Sequence, residues 1–308
     1  IYIYLFSWFF CKDSITPIIV AAEKKSKKEV GKTGAIWYDN HVMKRILNYV
    51  RILWQVLSPL FIFLGASVAV ECAFAILWMI LGSRMDFVLD HREDVILALS
   101  GTAALWAAWI LWKIDGREGI WYGEIRRRLP RRAILPCVGA ALGVSVAGNC
   151  LLSLLGLTDL GGYSAAPLLE RGTPLVVLLS TCVAAPLAEE MVFRVVIYRR
   201  LRRETGFWMA AAVSSLLFAL YHGNLPQGIY ALLVGAVLAF LMESYQAALA
   251  PVLAHMAANL LSVLLTWAGT GDILAAGVAR RAAAAALAGA VLLFSLRQAA
   301  NDGKRIRS

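Results

Sequence analysis

Two adjacent carboxylates and a guanidinium interrupt an otherwise apolar stretch of the sequence. The segment AEEMVFR, residues 188–194, places Glu189, Glu190 and Arg194 between LVVLLSTCVAAPL and VVIY. Glu190 and Arg194 are four residues apart, so on a helix they share a face and can form an ion pair. Glu189 points about 100° away from Glu190. One carboxylate is therefore left without a local partner, either for proton transfer or for a structural ion pair with another helix.

Two further pairs of side chains repeat the four-residue spacing. The segment HMAAN contains His255 and Asn259, and the segment FALYH contains Phe218 and His222. Each pair lies on one face of its helix. A lone histidine inside an apolar helix is commonly a hydrogen-bonded contact between helices. Two of them downstream of a carboxylate pair favour a chemical role.

Composition places these residues in a membrane. The chain has 308 residues, of which 60% are hydrophobic and 16% charged, and its mean hydropathy is +0.69, which indicates a polytopic membrane protein. The formal net charge of +10 comes from short basic clusters between apolar runs, so we expect no binding of nucleic acid. Five cysteines without C-x-x-C spacing indicate neither a disulfide framework nor a zinc cluster.

The apolar runs predict an all-α bundle of about eight transmembrane helices, because a helix needs about 20 residues to cross about 30 Å of hydrocarbon. The predicted spans are residues 53–81, 95–112, 133–157, 173–197, 207–222, 226–243, 249–269 and 282–296. Residues 1–42 combine a short apolar run with a lysine-rich stretch and look foreign to this pattern. We expect the domain to be residues 43–308, beginning near Met43. The alternative is that residues 1–42 are a signal or an interfacial anchor.

Basic clusters predict the orientation in the membrane. They precede span one, separate spans two and three, follow span four and close the chain, whereas most of the opposite loops are acidic or nearly neutral. With eight spans all four clusters fall on one side, so both termini are expected in the cytoplasm of a multi-pass plasma-membrane protein. Arg280 and Arg281 are a mild exception.

The turn between spans four and five predicts that Glu189 and His222 can meet. We place this turn near Thr205 and Gly206. Glu189 precedes it by about the same number of residues as His222 follows it, so at 1.5 Å per residue both lie about 25 Å from the turn. The two side chains are then at a common height in the bundle.

EEMVFR, FALYH and HMAAN, in this order and at these separations, are similar to the three motifs of the CAAX-protease and bacteriocin-processing family of intramembrane endopeptidases. The resemblance covers residues 173–266. It implies hydrolysis of a peptide bond within the membrane, in a membrane-associated protein or peptide. It also implies that Glu189 activates water with the help of His222, and that His255 and Asn259 steady the oxyanion. The resemblance further implies that Glu190 and Arg194 hold the first carboxylate in place or receive a substrate carboxylate.

Physical chemistry agrees with these implied roles. A carboxylate shielded from bulk water is a better base near neutral pH, and imidazole and amide groups can donate to a developing negative oxygen. Glu189, His222 and His255 could equally hold a divalent zinc ion that acidifies water. The sequence leaves the metal-free and the zinc mechanisms open.

Two other classes of protein also fit the residues. A proton-coupled transporter uses intramembrane carboxylates and histidines as a relay, although it usually shows repeated or broken helices, and no second copy of these motifs is present. A catalytically silent scaffold or bacteriocin-immunity protein is the other alternative. The presence of every motif residue favours the enzyme, whose substrate the sequence does not specify. In a bacterium it could be a leader peptide, a bacteriocin or another membrane protein.

Overall fold

The computed structural model describes residues 40–81, 90–115, 127–158, 166–269 and 277–307. Within these ranges every regular element is helical. The predicted leading segment, residues 1–42, lies outside the described residues except for its last three, where the first helix already begins at Asn40. The predicted loops around residues 82–89, 116–126 and 159–165 also lie outside them.

Nine helices are numbered here in chain order through the described ranges: α1 (Asn40–Leu81), α2 (Arg92–Asp115), α3 (Ile134–Leu154), α4 (Ala166–Arg171), α5 (Pro174–Glu204), α6 (Phe207–Tyr221), α7 (Leu225–Tyr245), α8 (Leu249–Trp267) and α9 (Val278–Arg307). Seven of them are long and apolar enough to cross a membrane, among the residues that could be searched. All eight predicted spans are helical, which confirms the all-α transmembrane bundle. The predicted fifth span, α6, has only 15 residues and is therefore about 22 Å long.

The described residues form two large apolar cores and one small cluster of Val177, Cys182 and Val263. One is formed mainly by α1, α2, α5 and α6, with Phe63, Leu111 and Phe193 among its fully buried side chains. The other is formed by α3, α7, α8 and α9 and is rich in alanine, which allows close approach of the helices. α5 contacts α2, α6, α7 and α8. Polar groups on α5 can therefore reach across the junction between the two cores.

Two short turns connect α5, α6 and α7. α5 ends at Glu204 and α6 begins at Phe207, so the turn predicted at Thr205 and Gly206 is confirmed. α6 and α7 are joined by residues 222–224, where Gly223 has a φ of 72°, a conformation that favours glycine. The Asn224 side chain then accepts a hydrogen bond from the backbone N–H of Gln227 at the start of α7. His222 consequently lies at the tip of the α6–α7 hairpin.

Ion pairs join the basic ends of the helices. Arg51 at the start of α1 lies 3.6 Å from Glu204 at the end of α5. Arg132, just before α3, lies 3.1 Å from Asp302 near the end of α9. These contacts bring the starts of α1 and α3 and the ends of α5 and α9 to one end of the bundle. The location of that end in the cytoplasm remains a prediction.

Candidate active site

The helix that carries both carboxylates, α5, departs from α-helical geometry on each side of them. Residues Leu178–Ala184 and Met191–Tyr198 form π-helical turns, and Ala185–Glu190 between them is α-helical. Wider π turns change which carbonyl groups are bonded within the helix and are frequent at functional sites. Pro186 has no N–H to donate to the preceding turn, and it is the one local signal in the sequence for this irregularity.

The predicted pair of Glu190 and Arg194 is present and fully buried. Nη1 of Arg194 donates to Oε1 of Glu190 over 2.9 Å, and both side chains are 0% exposed. The guanidinium also lies over the ring of Phe218 on α6, with its Cζ 4.3 Å from the ring centroid. Charge pairing and the aromatic face together compensate for burying this cation.

His255 on α8 connects the two carboxylates of α5. Its Nδ1 lies 2.8 Å from Oε1 of Glu190, and its Nε2 lies 3.7 Å from Oε2 of Glu189. Because an ionised carboxylate only accepts hydrogen bonds, we assign the hydrogen of this contact to Nδ1. The side chain of His255 is only 5% exposed. Glu189, Glu190, Arg194 and His255 therefore form one buried polar network.

The imidazole of His222 is hydrogen-bonded to a carbonyl group of its own helix, and not to Glu189. Its Nδ1 donates to the carbonyl oxygen of Phe218 over 2.8 Å, and its ring stands edge-on to the ring of Phe218. The ring of Phe218 also contacts His255, with centroids 5.6 Å apart. No hydrogen bond joins His222 to Glu189 within the described part of the chain, so His255 is the histidine beside the candidate base. The assistance of His222 to Glu189 remains a prediction.

Asn259 faces the same helix as His255, one turn further along α8. Its Nδ2 donates to the carbonyl oxygen of Thr181 over 2.9 Å, within the first π-helical segment of α5. A side-chain amide carries two hydrogens on nitrogen, so one hydrogen remains for another acceptor. His255 and Asn259 share one face of α8, as their spacing predicted, and the structure places that face against α5. Thr181 could not be identified in advance, because its role depends on the π turn.

The predicted zinc ligands are not assembled into a metal site. Among the described residues, no group of three or more His, Cys, Asp or Glu side chains is arranged to hold a metal ion. Nε2 of His255 and Oε2 of Glu189 face each other, and the hydrogen bond from Nδ1 to Glu190 leaves Nε2 of that ring available. Binding of zinc by Glu189, His222 and His255 remains a prediction.

Two other acidic residues of the apolar helices, Glu71 and Glu243, lie outside this network. Glu71 is exposed on α1. Glu243 at the end of α7 accepts from the hydroxyl of Tyr198 over 2.6 Å and pairs with Arg202 over 3.1 Å. These three residues connect α5 to α7 at the basic end of the bundle, so Glu243 has a structural partner set.

The part of the chain that contains this network matches a known family. Residues 171–261 match the family model described as type II CAAX prenyl endopeptidase Rce1-like. The resemblance predicted from the three motifs is confirmed for this segment. It includes all six predicted site residues, Glu189, Glu190, Arg194, His222, His255 and Asn259.

One relative is the protein named "Putative membrane peptidase YdiL" of Bacillus subtilis (strain 168), which is 30% identical over 95 residues. That match covers 31% of this chain and 38% of the relative, so it spans well under half of either protein. No solved structure matches the chain. Together the matches and the seven candidate spans show a multi-pass integral membrane protein, part of which is similar to membrane peptidases.

Proposed function

We propose that this chain is an intramembrane endopeptidase that hydrolyses a peptide bond in a membrane-associated protein or peptide. The observation that carries the proposal is the buried network in which His255 joins Glu189 to the Glu190–Arg194 pair. A charged group at this depth costs several kcal/mol unless it is paired. Arg194, Glu190 and His255 are joined by hydrogen bonds. Oε2 of Glu189 lies 3.7 Å from Nε2 of His255, beyond hydrogen-bonding distance.

Glu189 acts as the general base in this proposal. A water molecule that attacks the carbonyl carbon transfers a proton to Oε2 of Glu189, and a tetrahedral oxyanion forms. When the carbon–nitrogen bond breaks, the same proton passes to the leaving amine. The burial of Glu189 supports this role because water cannot solvate and stabilise the ionised carboxylate as it does at a surface. His222, whose Nε2 is not used by its contact with Phe218, assists this proton transfer.

The oxyanion is stabilised by groups on α8. Asn259 retains one amide hydrogen after its contact with Thr181. His255 contributes Nε2–H when it is protonated, and its position is fixed through Nδ1 by Glu190. Donors that are held in place before the reaction stabilise the transition state without a cost of reorganisation.

Glu189→Gln tests the base directly. The substitution keeps the size and the hydrogen-bonding capacity of the side chain but removes its basicity, so hydrolysis should fall by about 10²–10⁴-fold while the protein still folds. The matched control is Glu170→Gln, the same change at an exposed position on α4. Mapping newly created peptide termini in membranes from cells that contain each variant measures cleavage and identifies the substrate.

Either of two outcomes would contradict the proposal. Cleavage by Glu189→Gln at the wild-type rate excludes Glu189 as the base. Identical peptide termini in cells with and without the wild-type protein would instead favour the silent scaffold or immunity protein.

Zinc is tested separately with the purified protein. Inhibition by a chelator followed by reactivation with zinc would assign the water to a metal ion. Full activity of a metal-free preparation would assign it to Glu189 and the histidines alone. The hydrogen bonds at Nδ1 of both histidines leave Nε2 of each ring available, which is compatible with either route.

A further inference from the structure

Gly235 on α7 lies against the guanidinium of Arg194. A Cβ atom placed on Gly235 would come within 3.0 Å of Nη2 of Arg194, which is closer than nearly all Cβ contacts in proteins. It would also come within 3.1 Å of the Cβ of Ser215 on α6. Glycine at this position therefore leaves the space that the guanidinium occupies between α6 and α7.

The guanidinium has limited freedom to move away from such a Cβ. On one side Nη1 is bonded to Glu190 over 2.9 Å, and the face of the guanidinium lies on the ring of Phe218. Nη2, on the other side, is the atom that faces Gly235. A Cβ at residue 235 would therefore require a small shift of Nη2, and the rigid guanidinium would carry Nη1 with it relative to Glu190.

A displacement of Arg194 would be transmitted to the candidate base. Oε1 of Glu190 accepts from both Arg194 and His255, so a change in the first bond changes the position of the acceptor for the second. His255 in turn presents Nε2 to Glu189 at 3.7 Å. The contacts thus run from Gly235 through Arg194, Glu190 and His255 to Glu189.

We propose that Gly235 is a positioning residue of the active site, which keeps the Arg194 guanidinium against Glu190 and thereby sets the position of His255. The consequence for catalysis rests on the proposed peptidase function. The geometric consequence for His255 does not depend on that function. Ser215 on α6 also contacts this position, and its backbone limits how closely α6 and α7 can approach each other.

Gly235→Ala tests this role against Gly143→Ala. Gly143 lies where α3 meets α9, and a Cβ there would come within 2.8 Å of the backbone nitrogen of Leu292. Both variants insert a methyl group at a tight contact between helices, and both should lower the unfolding temperature. Only Gly235→Ala touches Arg194, so only it should reduce cleavage, by less than the about 10²-fold typical of a 1 Å misplacement, because a contact at 3.0 Å is relieved by a smaller movement.

The position of His255 can be measured independently of activity by NMR. The chain has four histidines, so protein labelled with ¹⁵N-histidine in nanodiscs gives few imidazole signals, and His255→Gln identifies the one from residue 255. Gly235→Ala should shift the Nδ1–H signal of His255, and Gly143→Ala should leave it unchanged. This measurement remains decisive even if the chain cleaves no peptide at all.

A double variant separates contact with Arg194 from simple crowding of the helices. Gly235→Ala combined with Ser215→Gly removes the Cβ of Ser215 and relieves part of the contact between α6 and α7. The His255 signal should stay shifted in this variant, because the methyl group still meets Nη2 of Arg194. Recovery of the wild-type signal, or an equal shift in Gly143→Ala, would overturn the proposal. An unshifted His255 signal in Gly235→Ala would overturn it as well.

Discussion

Oε1 of Glu190 accepts hydrogen bonds from Arg194 and from His255, and all three side chains are almost completely buried. Glu190 therefore differs from its neighbour Glu189, although the two residues are adjacent and chemically identical. Glu190 compensates a buried cation and orients an imidazole, whereas Oε2 of Glu189 faces the imidazole from beyond hydrogen-bonding distance. The two carboxylates should respond differently to the same substitution.

Glu190→Gln should destabilise the protein by about 3–5 kcal/mol, because it leaves the buried guanidinium of Arg194 without a counter-charge. Glu189→Gln should change stability much less. Unfolding of both variants in mixed detergent micelles measures the difference. Replacing both members of the pair, Glu190→Leu with Arg194→Met, should restore much of the stability but none of the activity. Equal stability of Glu190→Gln and wild type would contradict the assignment of a buried charge pair.

For individual side chains, the sequence predicted contacts within a helix better than contacts between helices. The pair of Glu190 and Arg194 followed from four-residue spacing on one helix. His255 and Asn259 were correctly placed on one face of α8. The neighbour of Glu189 could not be derived, because the height of His222 in the bundle says nothing about its rotation around α6. That rotation depends on how Phe218 packs against Arg194 and His255.

Among the elements, α5 has the most irregular backbone and the most varied set of partners. Its two π-helical segments flank the carboxylates, and its last turns are tied to α7 through Tyr198, Arg202 and Glu243. The sequence predicted a span here but not its π turns, since the hydrogen-bond register of a helix depends on tertiary packing as well as on local residues. The tie to α7 holds the end of α5 while its middle departs from regular geometry.

Tyr198→Phe tests this tie. The tyrosine is fully buried, and its hydroxyl donates to Oε2 of Glu243 over 2.6 Å. Removing a hydrogen bond to a charged group should cost about 1.5–3 kcal/mol of unfolding free energy. Tyr49→Phe is the matched control, because Tyr49 on α1 is 69% exposed. Thermal unfolding in detergent should separate the two variants, and equal unfolding temperatures would show that the hydroxyl contact contributes nothing.

The molecule as a whole gathers its basic ends at one end of the bundle, where Arg51, Arg132 and Arg202 each pair with a carboxylate from another part of the chain. The exposed aromatic side chains of Tyr49 and Trp208 lie at the same end. Aromatic and basic residues together are typical of the cytoplasmic boundary of a membrane. Composition and charge were sufficient to predict that the basic helix ends lie together, because few structures other than apolar helices with charged ends can span a bilayer.

Reporter fusions test the orientation. A reporter placed after Arg203 and another placed after Ser308 should both give cytoplasmic signals. A third reporter after Trp267, at the end of α8, should give a signal from the opposite side of the membrane. A cytoplasmic signal at all three positions, or an outside signal at either of the first two, would contradict the predicted topology.

The shortness of α6 has a consequence for the bilayer around the protein. A helix of 15 residues, about 22 Å long, cannot match a hydrocarbon layer of about 30 Å. The α6–α7 turn at residues 222–224 therefore ends inside that layer unless the lipid thins around it. Irregular backbone at such a depth must be covered by protein or open to water. The hydrophobic mismatch is thus expected beside His222, and we predict that water, a reactant in any hydrolysis, enters the membrane there.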